Sequence, residues 1–182
     1  MTVQDVVKLS ATYLDKEDVL NYLEKEQEGS PAEVNTLTVC ANVVINELAC
    51  SYLPMIKTEK LIAEDNKLYF TALSETPLKI ISVTDYNGNA VRYDFHAEYL
   101  SVDSKKVVIE YKYIPSNLGL TDRIDYDERE VPLRLLAFGT ISEYALIERD
   151  FDKSLAWRNR YNDLLSQILS PKNIKTKARK FI

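Results

Sequence analysis

The residues that could carry out chemistry in this 182-residue chain are few, and no motif groups them. The one histidine, His96, lies on the polar side of an alternating segment that predicts a β-strand. Histidine catalysis needs a nucleophile and an orienting carboxylate beside the ring, and no spacing in the sequence supplies them. We therefore interpret His96 as a surface residue.

Two carboxylates, Glu47 and Glu143, lie in otherwise apolar helical segments. A pair of carboxylates can act as general acid and general base. A carboxylate among apolar residues is also stabilised by an Arg or Tyr of a neighbouring helix. We favour this second interpretation, and we expect no catalytic residue in the chain.

The segment 122–130 is acidic and invites comparison with a calcium loop. It lacks the glycine and the closing glutamate spacing of an EF-hand, and its Arg123 and Arg129 would neutralise part of the charge. We predict a solvated loop. The chain also lacks a glycine-rich phosphate loop and the Cys and His spacing of zinc sites, so we expect no metal and no cofactor.

Composition is typical of a soluble globular protein, with 46% hydrophobic and 28% charged residues. We see neither a signal peptide nor an apolar stretch of about 18 residues that could span a membrane, so we expect synthesis in the cytoplasm. Cys40 and Cys50 lie in one predicted helix, separated by roughly 15 Å along its axis, which is too far for a disulfide. We expect two free, buried thiols.

Residues 1–62 have helical periodicity. Asp15 is placed to begin a second helix as its N-cap. Ser30-Pro31-Ala32-Glu33 is a capping box with proline at the first helical position. It predicts the start of a long helix that ends before Pro54.

That long helix is apolar on nearly all sides, because Val39 and Val43 extend its main apolar face. Two explanations stay open. The helix lies at the core of a monomer, or a neighbouring subunit covers part of it.

The periodicity changes to two over residues 67–114, most clearly at 107–113. Asn87-Gly88 is a strong hairpin signal, and residues 103–106 form a second turn. Connections this short favour an antiparallel meander of about four strands. The twelve tyrosines of the chain fit either strand packing or an interface.

Helical periodicity returns over residues 131–169, with Asp152 as the expected N-cap of the last helix. Its predicted core residues are Leu155, Trp157, Tyr161, Leu164, Leu165 and Ile168. The elements together predict an α+β fold. We expect one domain over residues 1–170, a mainly helical bundle with an antiparallel β-meander inserted at about 67–114, followed by an extended tail at 171–182.

The tail contains five basic residues and no acidic one, whereas the other 170 residues contain 18 basic and 28 acidic groups. The tail could dock on an acidic protein, remain disordered and aid solubility, or bind nucleic acid phosphates. We favour docking, because apolar side chains accompany the cations. The expected docking residues are Lys172, Ile174, Lys175, Lys177, Arg179, Lys180, Phe181 and Ile182.

The order of elements resembles the head–tail connector, or adaptor, proteins of tailed bacteriophages. The resemblance covers nearly the whole chain. It depends on the order in which several segments follow one another more than on any one motif. The segments that carry it are 47–54, 78–89, 108–115, 124–127, 136–145, 151–157 and 179–182.

The resemblance implies a structural role without an enzymatic step. Such proteins form a closed ring, of about a dozen copies, below the portal of the phage head. The ring extends the DNA channel, lets the genome pass without sequence-specific binding, and offers a platform to the next neck or tail protein. The tail, Lys172 to Ile182, would then dock on the portal. The expected location is the virion neck, after synthesis in the bacterial host cytoplasm.

The sequence is compatible with three other functions. A stopper or tail-completion protein of the same neck is the nearest one. A nucleic-acid-binding module would use the basic tail. A small hydrolase would use Glu47, Glu143 or His96.

Overall fold

The structure, a computed structural model, describes residues 1–25 and 30–170 of the chain. It has five helices and two small antiparallel sheets, with about 48% of residues in helices and 25% in strands, which confirms the mixed α+β class. The helices are α1 (Val3–Leu14), α2 (Glu17–Lys25), α3 (Pro31–Glu47), α4 (Leu133–Ile147) and α5 (Phe151–Leu169). The strands are β1 (Met55–Ile62), β2 (Lys67–Tyr69), β3 (Thr76–Asp85), β4 (Tyr93–Phe95), β5 (Tyr99–Val102) and β6 (Lys106–Ile114).

Helix α3 begins at the predicted residue, with the serine half of the capping box in place. The Ser30 hydroxyl accepts a hydrogen bond from the backbone N–H of Glu33 at 3.4 Å, and Pro31 occupies the first helical position. The carboxylate of Glu33 accepts from Lys16 Nζ at 2.8 Å. The helix continues into a π-helical segment, Leu48–Tyr52, which ends before Pro54.

The prediction that Asp15 begins a helix is wrong. Asp15 has φ 55°, in the left-handed region, and ends α1 by donating its backbone N–H to carbonyls of the last turn. Asp tolerates this conformation better than most residues, so it can end a helix as well as begin one. The prediction that Asp152 caps the last helix is also wrong, because Asp150 accepts from the Lys153 backbone N–H at 3.1 Å.

The helical assignment of residues 1–62 extends too far. Strand β1 occupies Met55–Ile62, so the β insertion begins about a dozen residues earlier than predicted. Its alternating burial, with Met55 buried and Ile56 exposed, is strand periodicity. Pro54 marks the change, since proline lacks the N–H that would continue a helix.

The strands do not form a meander. They form two three-stranded antiparallel sheets, in the orders β1-β6-β3 and β2-β5-β4. The consecutive strands β5 and β6, joined by the predicted turn at 103–106, therefore lie in different sheets. The predicted turn at Asn87-Gly88 exists, with Gly88 at φ 86°, but it likewise connects β3 and β4 of different sheets. Local periodicity predicts a strand, whereas its partner depends on residues far away in sequence.

Helix α4 packs against α1, α3 and α5, and its central residues are almost fully buried. The inward sides of β6 and α3 join the same hydrophobic core. Of the expected core residues of α5, Tyr161 is fully buried, but Leu155 leaves 62% of its surface exposed. Cys40 is buried and Cys50 is exposed, so the expectation of two buried thiols holds only for Cys40. No helix in the described part of the chain is long and apolar enough to cross a membrane.

Candidate functional site: two exposed faces

Gly139 brings three helices together. A Cβ atom at this position would lie 2.7 Å from Val44 Cγ1 of α3 and 3.1 Å from Tyr161 Cδ2 of α5. Both distances are shorter than ordinary carbon contacts, so only glycine fits here without movement. The absence of a side chain lets α3 and α5 approach each other across α4.

An ion-pair cluster also joins these three helices. Arg158 of α5 donates from both terminal guanidinium nitrogens to the carboxylate of Glu47, at 2.8 and 3.0 Å. Its Nη1 also lies 3.7 Å from Glu143 Oε1 of α4. The prediction that Glu47 and Glu143 meet an Arg of a neighbouring helix is confirmed. Sequence alone did not identify Arg158.

The charges of the cluster suit a structural ion pair better than a site of proton transfer. Burial alone would lower the pKa of Arg158, but the hydrogen bonds and charges of Glu47, with the charge of Glu143, raise it above its ordinary value. The guanidinium therefore stays charged. Two carboxylates around one guanidinium leave a formal surplus of one negative charge, which lies mainly on the more weakly paired Glu143.

Exposed apolar side chains extend from this cluster along all three helices. Helical steps of three or four residues place them on the side of their helix that carries Glu47, Glu143 or Arg158. We call this surface the apolar helix face, and its apolar members are Val39 (59% exposed), Val43 (45%), Ile147 (55%), Phe151 (68%) and Leu155 (62%). Side chains of this size are rarely exposed together without a partner. The nearly all-round apolar character of α3 is therefore only partly explained by the core of one chain.

A second face lies on the solvent side of the β1-β6-β3 sheet. Residues directly opposite each other in an antiparallel pair point to the same side, and the register pairs Ile56 with Lys112, Lys60 with Val108 and Ile62 with Lys106. Strand β3 adds Lys79 opposite Lys112. We call this surface the lysine face, and its main members are Ile56, Lys60, Ile62, Lys79, Tyr86, Lys106, Glu110 and Lys112.

The lysine face is positive on a protein that is negative overall. It carries four lysines and one carboxylate, Glu110, which accepts from the Ser82 hydroxyl at 3.1 Å. Lys60 and Lys106 both lie over the ring of Tyr86, at 5.8 and 5.9 Å from its centre. In the described part of the chain, none of the four lysines has a carboxylate within 4.0 Å.

The pair Lys79 and Lys112 is unfavourable by itself. Like charges directly opposite each other on neighbouring strands destabilise a sheet. Sequence analysis missed this face, because two-residue periodicity assigns Lys112 a side of β6 but gives no register with β3. Such a pair is unfavourable in a monomer, and an anionic group on a partner would relieve it.

The acidic segment 122–130 has exposed charged residues, as predicted for a solvated loop. Arg129 neutralises Asp127 at 2.8 Å and holds the pKa of that carboxyl at about 2. The terminal amine of Met1 lies 3.1 Å from Glu128. The loop borders a polar cleft of about 730 Å³. No group of three possible metal ligands occurs among residues 1–25 and 30–170.

Of the remaining predicted residues, the structure describes His96 but not the tail residues. His96 is exposed and stacks on Tyr99, with 4.5 Å between ring centres, which confirms it as a surface residue. The expected docking residues between Lys172 and Ile182 lie outside the described residues, so their role stays a prediction.

The chain was also compared with known proteins. No model of a protein family matches it, and no curated protein matches it.

Proposed function

We propose that this protein is a structural, ring-forming head–tail connector of a tailed phage, which docks on the portal and extends the DNA channel toward the tail. The observation that carries the proposal is the apolar helix face, which exposes five large apolar side chains around a partly buried ion-pair cluster. Such a surface is typical of subunit contacts. The order of helices, β insertion, helices and basic tail supports the same function.

In this proposal the helices and the β1-β6-β3 sheet, which share one hydrophobic core, build the ring wall. A ring needs a heterologous contact, in which two different surfaces of one subunit meet those of its neighbours. The resemblance to phage connectors implies about a dozen copies in such a closed ring. The negative body repels DNA phosphates and lets the genome pass, whereas the tail carries the positive charge for docking.

The direct test is binding to the purified portal of the same phage. The full chain should bind, and a chain that lacks residues 171–182 should not. Deletion should leave the fold unchanged, because the described residues already form a continuous hydrophobic core between Val3 and Leu165. Circular dichroism and thermal unfolding check this point.

A finer variant separates charge from apolar anchoring. Phe181→Ser with Ile182→Ser keeps all five cations of the tail, and Lys177→Gln with Lys180→Gln keeps both apolar residues. We expect each pair to weaken portal binding. Unchanged binding after deletion of the tail would reject the docking role. Binding to a portal–adaptor complex but not to the portal alone would instead identify a stopper or tail-completion protein.

A further inference from the structure

We propose that the lysine face of one copy binds the apolar helix face of the next copy, and that this contact joins the subunits. The inference deepens the proposed function, because it names the two surfaces that meet in the ring. It commits to a second copy of this chain as the occupant of both faces.

The two faces match in apolar character. Ile56 and Ile62 on the lysine face leave 54% and 59% of their surface exposed, and Phe151 and Leu155 on the apolar helix face leave 68% and 62% exposed. Each face presents an exposed patch on the order of several hundred Å². This is comparable with one side of a standard protein interface, which buries about 800 Å² per partner.

The two faces also match in charge. The lysine face has a formal charge of +3, from four lysines and Glu110. The ion-pair cluster of the apolar helix face has a formal charge of −1, with Glu143 3.7 Å from the shared guanidinium. Covering that surplus carboxylate with an uncharged surface would be unfavourable, because it would lose hydration without gaining a counter-ion. A lysine from the neighbour would supply the missing charge.

The charges exclude one alternative arrangement. Two copies that met through their lysine faces would bring four lysines against four, and this juxtaposition is strongly repulsive. Contact between unlike faces avoids the repulsion. Such contact is heterologous, and it generates a ring or a filament instead of a closed dimer.

DNA is the other anionic partner to consider. The isoleucines argue against it, since Ile56 lies directly opposite Lys112 and Ile62 directly opposite Lys106. A phosphate backbone offers no apolar surface to these side chains. The observations therefore favour a protein surface that is both apolar and acidic.

A charge-swap experiment tests the proposal with the full chain. Lys79→Glu together with Lys112→Glu changes the lysine face from a formal +3 to −1, and Glu143→Lys changes the ion-pair cluster of the apolar helix face from −1 to +1. We expect each variant alone to weaken self-association at least about tenfold, as measured by sedimentation velocity over a series of protein concentrations. In an equimolar mixture the altered faces complement each other, and so do the unaltered ones. The mixture should regain self-association that neither variant shows alone.

Two further variants distinguish a loss of self-association from a folding defect. Phe151→Ser and Ile62→Ser each remove a mostly exposed apolar side chain from one face, so the core should be unaffected and self-association should fall. Lys25→Glu, at the exposed end of α2, is the matched charge control and should leave self-association unchanged.

The outcomes separate this inference from the proposed function. Wild-type protein that stays monomeric at every concentration, or a mixture that fails to regain association, would overturn the assignment of these faces. Retention on duplex DNA that is lost when Lys79 and Lys112 are both replaced by Glu would overturn it in favour of a nucleic-acid surface. Tail-dependent binding to the portal could still be observed in each case, and only its failure would count against the connector itself.

Discussion

Arg158 of α5 forms a two-bonded ion pair with Glu47 of α3, beside Glu143 of α4. The two residues are 111 positions apart in sequence. Their pairing ties the last helix to the end of the long helix that precedes the sheets. The side chains stay 34% and 21% exposed, so the pair is accessible at the surface of the apolar helix face.

Replacing Arg158 should destabilise the fold. Arg158→Met removes the counter-ion of Glu47 and Glu143, and we expect a loss of about 1–2 kcal/mol in the free energy of unfolding, the range for hydrogen bonds to charged groups discounted for partial exposure. Urea unfolding measures the change. Arg134→Met is the control, because Arg134 is exposed and should change stability by less than about 0.5 kcal/mol. An equal effect of both variants would contradict the role of the cluster.

Gly139 should not tolerate a methyl group. Gly139→Ala places a Cβ atom 2.7 and 2.9 Å from the two Val44 methyl carbons, and we expect destabilisation of about 1–3 kcal/mol from the forced separation of α3 and α4. Thermal unfolding measures it. Gly119→Ala is the matched control, since the nearest atom, at 3.3 Å, belongs to the movable side chain of Asp122. Adding Val44→Ala to Gly139→Ala should recover part of the loss, and no recovery would argue against this contact as the cause.

The hydroxyl of Tyr161 should be dispensable. It is the buried side-chain polar atom without a hydrogen-bond partner among the described residues, and burial raises the pKa of this phenol. Tyr161→Phe removes an unpaired polar group, so stability should stay equal or rise by about 1 kcal/mol. Tyr111→Phe is the comparison, because the Tyr111 hydroxyl donates to Glu59, and its loss should destabilise by about 1 kcal/mol. The reverse order in unfolding experiments would refute the assignment.

Stability should depend on pH through Glu59. Burial alone would raise the pKa of Glu59, but the donors of Ser74 and Tyr111 lower it below its ordinary value. The unfolded chain therefore binds a proton more readily than the folded chain, so this stabilisation is present above the unfolded pKa, about 4.3, and is lost as pH falls through the lower folded value. Glu59→Gln should reduce stability at pH 7 and flatten its fall between pH 7 and 3. Glu64→Gln, at an exposed position, should leave the pH profile unchanged.

Asn42 should hold the loop after the sheets. Its amide nitrogen donates to the Leu118 carbonyl at 2.9 Å, and its amide oxygen accepts from the Leu118 backbone N–H at 2.7 Å. Asn42→Ala leaves both backbone groups of Leu118 without this partner, so we expect about 1–3 kcal/mol of destabilisation and faster hydrogen exchange at Leu118. The exposed Asn35→Ala is the control. Unchanged exchange at Leu118 would contradict the proposed role.

The sequence by itself determined the elements whose signals are local. The cap at Ser30, the proline at position 31 and the alternation of residues 107–113 predicted α3 and β6 correctly, because capping and periodicity act within a few residues. The chemistry of the paired carboxylates was also predictable. An apolar helix that contains Glu47 or Glu143 needs a cationic or hydroxyl partner wherever the chain folds.

Only the tertiary structure decided which residues meet. It selected Arg158 for Glu47, placed β6 between β1 and β3, and set Lys79 opposite Lys112. It also left Val39 and Val43 exposed, although their helix is apolar on nearly all sides. Each of these outcomes depends on packing between segments far apart in sequence. Local preferences determine the side of a helix or strand on which a residue lies. Packing between distant segments determines which residue becomes its neighbour.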